Sequence, residues 1–284
     1  MSPYEVIAEG LAFPEGPVVM ADGSVIVVEI MGQMVTRCWG GGRKECVAEP
    51  GGGPNGAAIG PDGALYLCNS GGHSHDGSPK EQGRIERIDL ASGKVDWLYD
   101  SCDGKPLGAP NDLMFDADGN MWFTDLGNSG ADCKYHGGLY CARADGSAIT
   151  CIYGKAISYN GVGVSPDMRH VYTSDTFTGR VFQFDRRIEA QTPRWLAGAE
   201  NGAWFDSLAM TAAGNICVAS LIPGGITTVT PEGAVSTLPL DDRLVTNIAF
   251  GGPDMQDAWI TFSERGALVK MRWSEPGMPL VYNG

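Results

Sequence analysis

A short pattern of polar and apolar positions recurs six times along the chain. In each copy a polar residue precedes a short apolar run and lies eight positions before a turn, as Asn111 lies before Gly119 in PNDLMFDADG. A second apolar or aromatic run follows the turn, which in that copy is NMWFTDL. The polar positions recur at intervals of 40 to 56 residues. Short strands and turns at such intervals are typical of a β-propeller, in which each repeat forms one blade.

The polar position has the same register in all six copies. Its occupants are Glu15, Asn55, Asn111, Asn160, Asp206 and Asn247. Because equivalent positions of all blades face one central axis, we expect these side chains to converge as a ring of oxygen ligands. The alternative is that Asn and Asp serve here as turn or strand-end residues, as they often do. Six polar residues in one register favour the ring.

Two further strands are predicted in each repeat. Third strands begin with Gly and alternate apolar with polar residues, as in GRVFQFDRR, and fourth strands are predicted in segments such as PRWLAG. The sequence therefore predicts an all-β, six-bladed β-propeller with four-stranded antiparallel blades around a central channel. We expect residues 1–284 to form one domain with hardly any helix. Residues 4–10 and 279–284 are both expected to supply strands to the last blade.

Composition and charge restrict the partners. Hydrophobic residues make up 43% of the chain and charged residues 19%, as in an ordinary globular core. The net charge of −14 and the absence of a basic stripe argue against a nucleic-acid partner. No apolar segment approaches the length of a membrane span, and the first residues do not resemble a signal peptide. Eight cysteines without a CxxC motif fit a reducing cytoplasm. We expect a small-molecule substrate and a monomer or small homo-oligomer.

Several motifs together carry a family resemblance. The runs FPEGP, PNDLMFDADGNMWFTD, HGGLY, YNGVGVS, FDSLAM and TNIAFGGPD resemble those of the regucalcin/gluconolactonase family of six-bladed propellers, over nearly the whole chain. The resemblance implies that Glu15, Asn160 and Asp206 bind one divalent metal ion. It also implies that Asn111 binds substrate or completes the metal shell, and that Asp206 is the general base or acid. Oxygen ligands suit Ca²⁺, Mg²⁺ or Mn²⁺, and an open site leaves Zn²⁺ and Fe²⁺ as further candidates.

The chain departs from the family pattern at two positions. Ala109 stands where sugar lactonases of the family commonly carry an Arg that binds substrate hydroxyls, and Ser207 follows Asp206 where Gly is common. The metal site therefore carries over from the resemblance, whereas specificity for a sugar lactone does not.

Histidines and a serine offer further candidates. His73 and His75 lie in the longest insertion, where they could form a second metal site, a proton shuttle or simply a polar loop tip. His136 in KYHGGLY matches a His of the family, and we expect both His73 and His136 to contact substrate. Ser70 near His73 resembles a nucleophile and its base, but no third group orients them, which argues against a serine hydrolase.

The sequence thus favours a metal-dependent lactonase, which hydrolyses a small cyclic ester. One alternative is a metal-assisted lyase, isomerase or hydratase that acts on a small carbonyl compound. The other is a calcium-binding or sensor propeller without catalytic activity.

Overall fold

Six four-stranded antiparallel sheets form a ring of six blades, so the predicted six-bladed β-propeller is confirmed. The structure is a computed structural model that describes residues 3–72, 80–128, 136–189 and 191–283, without the side chain of Asn201. Helix is nearly absent from these residues, whose one helical segment is the 3-10 turn Glu200–Gly202.

Five blades are built from four consecutive strands that run outward from the axis, and the sixth combines three consecutive strands with one from the N-terminus. The six inner strands are β2 (Pro14–Val19), β6 (Pro54–Ile59), β12 (Pro110–Phe115), β16 (Tyr159–Val164), β20 (Trp204–Met210) and β24 (Val245–Gly251). The second strands are β3 (Val25–Glu29), β7 (Leu65–Asn69), β13 (Asn120–Asp125), β17 (His170–Asp175), β21 (Ile216–Leu221) and β25 (Asp257–Phe262). The third strands are β4 (Met34–Gly40), β8 (Arg84–Ile88), β14 (Gly137–Arg143), β18 (Arg180–Asp185), β22 (Gly225–Val229) and β26 (Ala267–Arg272). The outermost strands are β5 (Arg43–Ala48), β9 (Val95–Tyr99), β15 (Ile149–Ala156), β19 (Arg194–Gly198), β23 (Val235–Pro239) and, from the N-terminus, β1 (Glu5–Ala8). A short hairpin of two-residue strands, β10 (Ser101–Cys102) and β11 (Lys105–Pro106), follows β9.

Among the described residues, the N-terminal segment alone closes the ring. Strand β1 pairs with β26 and completes the sixth blade, as expected for residues 4–10. The expectation that residues 279–284 add a strand to this blade is wrong, because residues 279–283, the described part of that segment, form no strand. Instead the C-terminal tail crosses the disc on the face opposite the polar positions, where Met278 N donates to Met210 O at 2.8 Å. The tail covers that end of the channel.

The turn between the first two strands has the same geometry in every blade. The residue eight positions after the polar one has a left-handed backbone in all six copies, and four of the six are glycines. Met168 and Met255 adopt this conformation with φ of 58° and 56°, although it favours glycine. In each turn the left-handed residue donates its N–H to the carbonyl three positions earlier. This repeated hairpin turn fixes the register that the sequence pattern shows.

Acidic residues at the ends of the second strands hold the chain where it enters the inner strands. Asp125 accepts hydrogen bonds from Gly108 N at 2.7 Å and Ala109 N at 2.8 Å. Asp175 likewise accepts from Ser158 N at 3.1 Å. These bonds fix the path of the backbone immediately before Asn111 and Asn160.

Two expectations, the lack of a membrane span and the reduced state of the cysteines, can be compared with the structure. Within the described ranges, no helix has the length and apolar character needed to cross a membrane. Every cysteine in the described part of the chain is a free thiol, and Cys133 lies outside that part. The expected cytoplasmic location stays a prediction.

Candidate active site

Every inner strand is interrupted by a β-bulge near its polar residue. Pairing with the second strand shifts register between Glu15 and Val18, for example, and the other five inner strands show a shift in the same region. A bulge frees a residue from the regular ladder and re-aims its side chain, and bulges are common beside active sites. Here the bulges lie at the mouth of the channel, where the inner strands begin.

The inner strands approach one another so closely at the bulges that some positions require glycine. A Cβ on Gly56 would lie 2.4 Å from Asp112 Cα, and a Cβ on Gly161 would lie 2.6 Å from Leu208 N. Both glycines directly follow a polar residue of the ring. Blade five carries Ser207 at this position instead, and its hydroxyl donates to Asn160 Oδ1 at 3.3 Å. The departure from glycine in FDS therefore adds a hydrogen bond between neighbouring blades.

A cavity of about 330 Å³ lies at the mouth of the channel. Its polar lining residues are Glu15, Asn55, Ser70, Asn111, Asn160 and Asp206, and its apolar lining residues are Phe13, Ile30, Met31, Ala109 and Leu126. Five of the six predicted ring positions thus share one wall. The predicted metal ligands and the predicted substrate contact of the third blade are all among them.

The sixth ring position, Asn247, has a different place. It lines a deeper cavity on the axis, and its Nδ2 donates to Glu15 Oε2 at 2.7 Å. Gly16 N donates to the same carboxylate oxygen at 2.6 Å. Asn247 therefore orients the Glu15 carboxylate from the next blade in the ring instead of facing the mouth.

Three buried carboxyl groups lie close together near this cavity. Burial raises the pKa of Glu15 well above its usual range, and the charge of Asp206 raises it further. Burial also raises the pKa of Asp206 to about 8, against a lowering effect of its hydrogen bond with Asn160. Burial raises the pKa of Asp112 to about 7. Among the described residues that line the cavity there is no Lys or Arg. A cation at the mouth would relieve this unfavourable concentration of negative charge.

The amide oxygens at the mouth also suit a cation. Asn111 Oδ1 is buried and has no hydrogen-bond partner among the described residues, which is rare for a buried polar atom. Asn160 donates its Nδ2 to Thr176 Oγ1 at 3.1 Å, which fixes the orientation of the amide. Within the residues that the structure describes, no group of three or more His, Cys, Asp or Glu side chains is placed to hold a metal. A metal here would therefore need amide oxygens beside the carboxylates of Glu15 and Asp206.

Hydroxyl groups of the second strands donate hydrogen bonds to the backbone of the polar ring, and the sequence analysis did not identify them. Ser174 Oγ donates to Asp206 O at 2.5 Å, and Thr124 Oγ1 donates to Asn160 O. Each bond runs from one blade to the backbone of a polar residue in the next blade. The signal in the sequence is a Ser or Thr that directly precedes the final Asp of the second strand, as in NMWFTD and HVYTSD.

The remaining candidates are the three histidines and Ser70. His73 and His75 lie outside the described residues, so their roles stay predictions. His136 is exposed, its Nδ1 lies 3.1 Å from Ala156 O, and it does not line the cavity; a substrate contact stays a prediction. Ser70 lines the cavity, but its Oγ donates to Gly53 O at 3.1 Å and thus supports the backbone.

Solved structures share this fold. The chain superimposes on a gluconolactonase from Xanthomonas campestris with a TM-score of 0.78 and 22% identity, covering 94% of this chain and 88% of that one. It superimposes on the calcium-binding protein regucalcin from Agrobacterium tumefaciens with a TM-score of 0.76 and 19% identity, covering 98% and 99%. At these identities the likeness shows the fold alone.

Sequence similarity extends the comparison to the family. A gluconolactonase from Zymomonas mobilis is 26% identical over 198 residues, which are 62% of this chain and 52% of that protein. The chain spans about half the length of the curated relatives it matches. Residues 13–264 match the family described as SMP-30/Gluconolactonase/LRE-like region, and the chain therefore belongs to that family.

Proposed function

We propose that this protein hydrolyses a small lactone at the mouth of the channel, with the help of one divalent cation. The observation that carries the proposal is the pair of buried carboxyl groups, Glu15 and Asp206, in the wall of this cavity. No basic residue is among the described residues of that wall. The family and the relatives named gluconolactonase support a lactone as the substrate.

Glu15, Asn160 and Asp206 would hold the cation, with Asn111 as a further oxygen donor. Carboxylate and amide oxygens favour Ca²⁺, Mg²⁺ or Mn²⁺, and Zn²⁺ or Fe²⁺ can also occupy such a site. When bound, a divalent ion supplies polarisation of the lactone carbonyl and stabilisation of negative charge on its oxygen. Asn247 keeps the Glu15 carboxylate aimed through its 2.7 Å hydrogen bond.

Asp206 is the proposed general base. Its carboxylate would accept a proton from the attacking water and could return it to the ring oxygen that leaves. Burial, together with the charge of Asp112, raises the pKa of Asp206 to about 8, whereas pairing with a cation favours the ionised form that can accept a proton. A positioned general base contributes about 10²–10⁴ to a rate.

Asn111 would orient the substrate. Its Oδ1 is buried at the wall of the cavity and has no partner in the described part of the chain, so it can bind a hydrogen-bond donor or complete the coordination of the ion. Ser207 and Thr176 would help from behind by holding the Asn160 amide.

The proposal is tested by removing metal with a chelator, restoring each of the five ions singly and following proton release from several lactones. We expect turnover to disappear on removal and to return with at least one ion. A protein that binds an ion but releases no proton from any lactone would instead be a sensor. A metal-dependent product that has lost water or moved a double bond would favour the lyase or isomerase alternative.

A further inference from the structure

The cavity wall has a polar part and an apolar part, and the apolar part bears on the substrate. We infer that the substrate is a lactone that carries an alkyl or aryl substituent and few hydroxyl groups. This inference rests on the proposed lactonase function and adds a substrate class to it.

The apolar part of the wall offers little to a hydroxylated ring. Phe13, Ile30, Met31, Ala109 and Leu126 supply it, and no Lys or Arg is among the described lining residues. A hydroxyl group that loses water without gaining a hydrogen bond is costly, whereas an alkyl group gains by leaving water. The wall therefore discriminates against a polyhydroxylated substituent and favours a hydrocarbon one.

Two of these residues have features that a purely structural role does not require. Met31 lines the cavity although it is 74% exposed. An exposed, flexible thioether is suited to covering an apolar ligand. Phe13 has a left-handed backbone with φ of 62°, which is strained for an aromatic residue. Ile30 N donates to Phe13 O at 3.1 Å and holds this conformation. Strain of this kind is concentrated at ligand sites.

An exposed aromatic pair lies on the same face of the disc as the cavity. Phe177 and Trp204 are 48% and 44% exposed, and their rings meet edge to face at 5.7 Å. Phe177 directly follows Thr176, which accepts the hydrogen bond from Asn160. Trp204 lies two residues before Asp206 on the same strand. Aromatic surface thus lies next to the proposed metal ligands, where it could contact the substituent of a bound lactone.

Three lactones with the same six-membered ring test the inference. They are δ-decalactone with a pentyl substituent, unsubstituted δ-valerolactone and D-glucono-δ-lactone with hydroxyl groups. For each, kcat/KM of the metal-loaded protein is divided by the uncatalysed rate constant. We expect δ-decalactone to exceed both others by about tenfold or more, the low end of what one methylene contributes in an apolar pocket.

Two variants locate the preference in the wall. In Met31→Gln the ratio of kcat/KM between δ-decalactone and δ-valerolactone should fall severalfold. Leu238→Gln replaces an apolar residue that is 41% exposed on an outermost strand, and it should leave that ratio unchanged. An unchanged ratio in Met31→Gln, or an equal fall in Leu238→Gln, would overturn the inference.

The other outcomes separate the inference from the function on which it rests. Preference for D-glucono-δ-lactone, or equal rates on all three, overturns the inference and leaves the lactonase proposal standing. If the protein hydrolyses none of the three lactones, the lactonase proposal is contradicted. Calorimetric titration with the ring amides 6-pentylpiperidin-2-one and piperidin-2-one then decides the inference: tighter binding of the pentyl compound supports the apolar wall, and equal binding overturns it.

Discussion

The two ends of the central channel are built from the same six strands and differ in almost every other respect. At the mouth the strands begin with bulges and polar residues around a cavity of about 330 Å³. Toward the opposite end the same strands carry apolar residues such as Met114, Leu208 and Phe250, around a cavity of only about 70 Å³. The C-terminal tail covers that end with Met278.

The difference shows how one strand can serve two purposes. Its first residues are held away from the ladder by a bulge and can face a ligand, whereas the residues after the bulge alternate regularly and pack as core. Hydrogen-bonded Asn and carboxylate pairs occur at both ends. Asn247 holds Glu15 near the mouth at 2.7 Å, and Asn215 holds Glu275 of the tail at 2.8 Å. Substitutions at the mouth should therefore change activity, and matched substitutions at the other end should change stability.

The largest effect is expected from Asp206→Asn. The amide keeps the size and one oxygen of the carboxylate but cannot accept a proton from water. Lactone turnover should fall by about 10² or more, the low end for loss of a general base. The affinity for the cation should weaken as well, because one of two carboxylates is lost. Initial rates of proton release at saturating metal measure the first effect, and calorimetric titration measures the second.

Glu275→Gln is the matched control at the closed end. It makes the same acid-to-amide change in a carboxylate that also accepts a hydrogen bond from Asn. Turnover should stay close to the wild-type value. Wild-type turnover of Asp206→Asn at saturating metal would show that Asp206 is not the base.

A smaller effect on metal binding is expected from Asn247→Ala. The substitution removes the amide that orients Glu15, and loss of a residue that positions a metal ligand lowers affinity by about 10–100-fold. Asn215→Ala removes the equivalent amide from Glu275 and should leave the affinity unchanged while loosening the tail. Calorimetric titration of both variants with the activating ion makes the comparison. Equal affinities would mean that Glu15 needs no support or binds no metal.

At the closed end, Met278→Ala should lower stability and spare the chemistry. Met278 is half-buried and packs against two hydrophobic clusters, one between the third and fourth blades and one between the fourth and fifth. Truncation of a fully buried Met costs about 2–5 kcal/mol, and we expect about 1–2 kcal/mol here because part of the side chain is exposed. The midpoint of urea unfolding measures the change. A fall in turnover of the folded variant would show that the two ends are coupled.

The fold could be predicted because each blade repeats the same local chemistry. A left-handed turn residue follows every polar position by eight, and glycine at four of these turns makes the register visible in the sequence. Strand β1 could be predicted from the short segment YEVIAEG. The tail was predicted wrongly because its apolar residues resemble a strand, whereas Pro276 and Pro279 cannot donate to a ladder.

For the site, the sequence could predict which residues share a register but not how their side chains are oriented. The pattern placed Glu15, Asn160 and Asp206 at one level of the channel, but not the direction of each side chain. Asn247 has the same register and yet turns toward Glu15, because the bulge of its strand lies one residue earlier in the register. Most of the apolar wall could not be found from the repeat, since Phe13 and Met31 lie in connections between strands, outside the repeated positions.

The smallest expected effect separates substrate binding at the mouth from support of the fold. Asn111→Ala removes a buried amide whose Oδ1 has no partner within the described ranges, so little stability should be lost. If Asn111 binds substrate equally in the ground and transition states, KM should rise by about 3–10-fold, the value of one hydrogen bond, with a smaller fall in kcat. Asn120→Ala is the control, because Asn120 is in the same blade and donates to Asp116 at the far turn at 3.1 Å. That variant should lose stability at unchanged KM. A fall in kcat alone in Asn111→Ala would show that the amide binds the transition state more strongly than the ground state. A loss of metal affinity would show that the amide is a ligand of the cation.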